Sequence, residues 1–74
     1  MNIIETLKAK AFHALCNCDT CLHQNDREIA ISWYGEGVGI LKALHALVGS
    51  CADTHNMDAM RERLENEIWP EQAL

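Results

Sequence analysis

ISWYGEGVGILKALHALV, residues Ile31 to Val48, is the stretch on which the fold turns. Gly35, Gly37 and Gly39 fall inside it, and each costs a helix interior about 1 kcal/mol relative to Ala. Propensity alone would break the chain there, but phase argues the other way. At about 100° per residue, Ile29, Trp33, Ile40, Leu44 and Leu47 fall in one narrow arc on both sides of the glycines. A loop has no reason to preserve such a register. The stretch predicts one long helix over about residues 26–49, opened by Asn25 and Glu28 at capping-box spacing.

The other side of this helix, beside that arc, holds Ser32, Gly35, Gly39, Ala43 and Ala46, a stripe of small side chains along which a second helix backbone can approach closely. Glu36 and Lys42 are the only charges within Ile31 to Val48. A helix so poor in charge is expected to be central and covered on most of its circumference, more than two short neighbours can supply. The stripe is therefore the expected surface of self-association, giving a homodimer.

Working outward, Asn2 and Glu5 have capping-box spacing, and Ile4, Leu7, Ala11, Leu15 and Cys18 recur at steps of three and four. They predict a one-sided helix over about 3–18. Asn17 to Asp26 is rich in Asn, Asp, Thr and Gln and reads as a connection, with a turn at Asp19 and Thr20. Gly49, Ser50 and Asp53 signal a stop and restart. Met57, Met60, Leu64 and Ile68 then form a narrow seam, over about 54–69, ended by Pro70. The fold expected is all-α: one small three-helix domain, residues 1–74, with a long central helix and a homodimeric bundle as its assembly.

Composition narrows the function classes. The 74 residues are 49% apolar with a net charge of −5. Lys8, Lys10, Arg27, Lys42, Arg61 and Arg63 are scattered, and nucleic-acid phosphates need clustered cations. Direct nucleic-acid binding is not expected. Residues 51–74 hold six acids against two bases, an acidic surface that is ordinarily a solvated helix face. Its alternative reading is a docking surface, with Asp58, Glu62, Glu65 and Trp69 as partner-binding residues. No run approaches the roughly 18 apolar residues of a membrane span, and Glu5, Lys8 and Lys10 interrupt the start where a signal peptide needs an apolar run. A cytoplasmic protein with reduced thiols is expected.

Cys18 and Cys21 form a C-x₂-C and Cys51 and His55 a C-x₃-H, a set that suits tetrahedral zinc, with Cys16 and His23 as spare ligands. The objection is geometric. Cys21 precedes the long helix and Cys51 follows it, and some twenty helical residues span about 30 Å. A purified chain without stoichiometric metal is expected, with Cys18 as a small core residue. His13 is expected to be solvated, His45 to flank the apolar face, and Trp33 to anchor the core. Trp69 is either an end-plug or an exposed hot-spot aromatic.

No catalytic residues are assigned: His13 with Cys16, or Cys51 with His55, could touch on a helix, but no third group orients a base. The expectation is a non-enzymatic interaction or regulatory module of the accessory or inhibitor type, acting on a partner protein that the sequence leaves unidentified. Accessory proteins of bacteria and their phages are often of this size and composition, an analogy only. A zinc-stabilised Cys/His module and an acidic nucleic-acid mimic that inhibits a nucleic-acid-binding protein are the alternatives.

Overall fold

In the computed structural model, which describes residues 2–49 and 51–73, three α-helices follow one another: α1 (Ile3–His23), α2 (Arg27–Val48) and α3 (Ala52–Ile68), with a 3-10 turn at Pro70–Ala73. The described residues contain no strand, so the chain is all-α with a long central helix. No described helix is long and apolar enough to cross a membrane.

α1 begins where Asn2 Oδ1 accepts from the Ile4 amide at 2.9 Å, the expected N-cap. The Glu5 carboxylate, expected to reach back to the cap, instead accepts from Lys8 at 3.1 Å. The helix continues to His23, well past the expected end at residue 18. The apolar steps run on from Leu15 and Cys18 to Leu22, which packs on the core. The supposed turn residue Asp19 is held inside the helix by Arg63 of α3, 3.3 Å away. Tertiary contact thus overrides a local turn preference.

The connection is only Gln24 to Asp26. Asn25 takes φ 61°, the left-handed conformation that Asn tolerates better than most residues. The Asn25 amide donates to Leu22 O at 3.1 Å and the Asp26 amide to Cys21 O at 2.8 Å, the paired bonds of a Schellman ending. Asn25 therefore closes α1. The cap of α2, expected there, is Asp26, whose side chain accepts from the Ile29 amide.

α2 runs unbroken through its glycines, but its buried face is rotated from the expected one. Ala30, Gly37, Leu41 and Leu44 are buried, whereas Ile29 and Leu47 are 49% and 58% exposed. Gly37 shows why. A β-carbon there would lie 2.9 Å from Leu15 Cδ2 and 3.4 Å from Ala14 Cβ of α1, so α1 and α2 approach through this glycine. Half-buried Trp33, Tyr34 and Ile40 complete the packed side.

Gly49 ends α2 at φ 67°. Ser50 lies outside the described residues, as does the side chain of Asp53. α3 starts at Ala52, two residues earlier than expected, because Cys51 and the buried Thr54 cap each other: the Cys51 amide donates to Thr54 Oγ1 at 2.9 Å. Met57, Leu64 and Ile68 are buried along the expected seam. Arg27 fastens the far end, donating to Ile68 O at 2.9 Å, a cation on the carbonyls of a helix C-terminus. Trp69 stands edge-on to Tyr34, with centroids 5.4 Å apart. It plugs the end of the bundle.

The total accessible surface is 4838 Å², and a folded monomer of 8.3 kDa is expected to show about 4,600 Å². Within the chain, α1 and α3 cover one side of α2 and leave open the side that holds Ser32, Gly35, Gly39, Ala43 and Ala46.

Candidate functional site

The surfaces that could act are those the bundle leaves open. Ser32, Gly35, Gly39, Ala43 and Ala46 all lie on the exposed side of α2, and a β-carbon at Gly35 or Gly39 would meet nothing within 4 Å. The stripe expected to mediate self-association is thus free of intrachain cover. Exposed Ile29 and Leu47 border it along one flank, and Glu36 and Lys42 stand to either side of Gly39.

A second opening lies between α1 and α3. Glu5, Lys8, Ala9 and Phe12 of α1 face Asn56, Met57 and Met60 of α3 across a groove of about 380 Å³. Phe12 is 55% exposed at its edge. The sequence reading passed over this residue, although a signal was present: Phe12 sits about 100° from its neighbour Ala11 on the apolar stripe, so a core role was excluded by phase.

Asp58, Glu62, Glu65 and Trp69 follow one another at steps of four, three and four, so they share one side of α3. Most are engaged within the chain. Asp58 receives His45 Nε2 at 3.0 and 3.1 Å, Glu65 pairs with Arg61 at 3.0 Å, and Trp69 rests on Tyr34. Glu62 is exposed. Glu67 pairs with Arg63 at 3.3 Å. This neutralisation weakens the field that a phosphate mimic would need. Arg63 titrates above its usual range because it bonds Asp19, with Glu67 adding to the effect. Burial would lower Arg61, but the Tyr34 hydroxyl and Glu65 outweigh it and raise it. Both guanidiniums stay charged.

The zinc candidates stay apart. Cys18 is fully buried and Cys21 half-buried near the C-terminal end of α1, whereas Cys51 and His55 are exposed beyond the other end of α2. Among the described residues no three His, Cys, Asp or Glu side chains converge on one point. Burial is the main cause that pushes the Cys18 thiol up to about 11, with Asp19, Cys21 and Glu67 adding to it and Arg63 opposing. That thiol is a packing group, neutral at physiological pH, and a poor nucleophile.

Three of the four imidazoles have contacts within the chain, and His55 is exposed. His13, on the exposed side of α1, lies 3.0 Å from Asn17 Nδ2 and edge-on to the Trp33 ring at 5.8 Å. His23 contacts the Asp19 carbonyl at 2.9 Å. His45 flanks the packed side of α2 and crosses to α3. No protein-family model matches this chain, and comparison with curated proteins and with solved structures finds none similar to it.

Proposed function

We propose that the chain is a small acidic interaction module that binds and modulates a partner protein, rather than an enzyme. The observation that carries the reading is Phe12. It is the chain's one phenylalanine, held 55% exposed at the mouth of the α1–α3 groove, with Met57 and Met60 lining that groove. Aromatic anchors beside adaptable methionines are the usual makings of a binding hot spot. The experiment is a photo-crosslinking amino acid at position 12, expressed in the native host. One discrete adduct with another protein, lost when Met60→Glu is added, is expected. Absence of any adduct, with the protein folded and abundant, overturns the reading.

The same proposal takes the module to act as a homodimer through the open side of α2, at Ser32, Gly35, Gly39, Ala43 and Ala46. What supports this is the exposure of all five, with Ile29 and Leu47 beside them. Gly39→Leu should hold two such helices apart and weaken association at sedimentation equilibrium by about 1–3 kcal/mol. An unchanged dimer would place the interface elsewhere.

A further inference from the structure

We propose that the cleft between α2 and α3 binds a phosphate group, held between Lys42 and Arg61. Val38, Leu41, Lys42 and His45 of α2 and Asp58 and Arg61 of α3 line one cavity of about 170 Å³ there. This cleft is separate from the groove at Phe12, which opens between α1 and α3.

Charge gives the sign of the ligand. The chain has six Lys and Arg against eleven acids, yet two of those cations, one from each helix, line this cavity. Lys42 is exposed, and among the described residues it is in no ion pair. Arg61 is half-buried; its Nη1 donates to Glu65 Oε2 at 3.0 Å, and the Tyr34 hydroxyl bonds it as well. Those contacts fix the guanidinium without exhausting its five N–H donors. Asp58 is the one carboxylate in the lining, and both its oxygens face His45 Nε2, at 3.0 and 3.1 Å. Two cations against one engaged carboxylate leave the lining net positive, in a chain whose own net charge is −5.

Size and shape give the class. A cavity of about 170 Å³ is smaller than the ~300–1,000 Å³ of drug-sized ligand sites, and holds about five or six water molecules at ~30 Å³ each. That suits an oxyanion head group. A guanidinium fork bonds two oxygens of a phosphate, and an ammonium on a flexible stem supplies a point charge to a third. A carboxylate, with two oxygens and a single charge, uses the two cations less fully. A nucleic-acid backbone needs further cations in line with these, and apolar Val38 and Leu41 complete the wall instead.

The test is titration of the full chain with inorganic phosphate at fixed pH and ionic strength, followed by the NMR shifts of the His45 and Arg61 side chains. O-phosphoserine presents the same group on a larger molecule, and chloride and acetate are the controls. The expected result is saturable phosphate binding with a dissociation constant on the order of millimolar, since both cations are partly in water, and binding of chloride and acetate weaker by roughly tenfold or more. Lys42→Gln and Arg61→Gln should each raise the constant roughly tenfold. Lys10→Gln removes the same charge from α1, outside the cleft, and should change it by less than about twofold because salt screens a distant surface charge. Arg61 also bonds Tyr34 and Glu65, so its variant is checked by melting temperature; exposed Lys42 carries the test if Arg61→Gln unfolds. Equal affinity for phosphoserine supports a phosphate carried on a larger molecule, and exclusion of phosphoserine supports the free ion. Shifts that fail to saturate, that chloride reproduces, or that survive Lys42→Gln unchanged overturn the site.

Discussion

Replacing the three glycines of α2 one at a time by alanine should give results of opposite sign. Glycine in a helix interior is less favourable than alanine by about 0.8–1 kcal/mol, and this gain is available at each position. At Gly35 and Gly39 a new β-carbon meets nothing within 4 Å, so each substitution should stabilise the chain by roughly 0.5–1 kcal/mol. At Gly37 the β-carbon would stand 2.9 Å from Leu15 Cδ2 and 3.0 Å from Leu15 Cγ, against a preferred carbon–carbon separation of about 3.5–4.0 Å. Leu15 is fully buried and cannot swing out of the way, so the helices must part or the side chain must leave its rotamer. Overpacking of this kind costs about 1–3 kcal/mol. Gly37→Ala should therefore be neutral to destabilising by ~2 kcal/mol, which places it about 1–3 kcal/mol below Gly39→Ala. Urea denaturation followed by circular dichroism measures the difference. A Leu15→Val change should relieve the clash, so that the double-mutant cycle with Gly37→Ala shows favourable coupling. If Gly37→Ala stabilises as much as Gly39→Ala, the close approach of α1 and α2 is refuted, and with it the orientation of the central helix.

The other predictions follow from single contacts. The Cys18 thiol, raised from 9.0 to about 11, favours its neutral form in the folded state; its contribution is complete below pH 9 and lost as pH rises towards 11. On the order of 2–3 kcal/mol of stability should disappear across that window, and Cys18→Ala should flatten the loss; equal pH dependence in both proteins would contradict the burial. Below pH 9, Cys18 should also be the slowest of the thiols to react with a disulfide reagent. His45 and Asp58 should couple by roughly 0.5–1 kcal/mol in a cycle of His45→Ala and Asp58→Ala, reduced by their partial exposure; zero coupling would remove the link between α2 and α3. Asn25→Gly should raise stability slightly because it eases the left-handed φ, and Asn25→Val should lower it by more than 1 kcal/mol; the reverse order in thermal melts would refute the Schellman ending.

How much of this was legible in the sequence differs from helix to helix. α1 and α3 each carry one apolar stripe with polar residues elsewhere, so a single phase fits them. Leu15, Cys18, Leu64 and Ile68 were placed in the core by spacing alone, and all four are buried. α2 offers two phases, because apolar and small residues surround it almost completely. Ile29 and Leu47 share an arc with Ile40 as convincingly as Ala30 shares one with Leu41. Periodicity shows that such a helix exists, not which side it turns inward. Phe12 lies about 100° from the apolar stripe of α1, so its exposure was legible, but that exposure marks a groove only once α3 stands across from it.

What the sequence determined by itself was therefore local: three helices, the survival of α2 through its glycines, the Asn2 cap, the stop at Gly49 and the seam of α3. These depend on spacing and backbone propensity, which act within a few residues. What only the tertiary structure decided was the rotation of α2, the extension of α1 to His23, the pairing of the α3 carboxylates and the surfaces left open. Gly35, Gly37 and Gly39 are the same residue type in nearly the same setting, and Leu15 of α1 meets only one of them. Close packing between helices selects one of several equivalent local patterns, and that selection is made by residues more than twenty positions away.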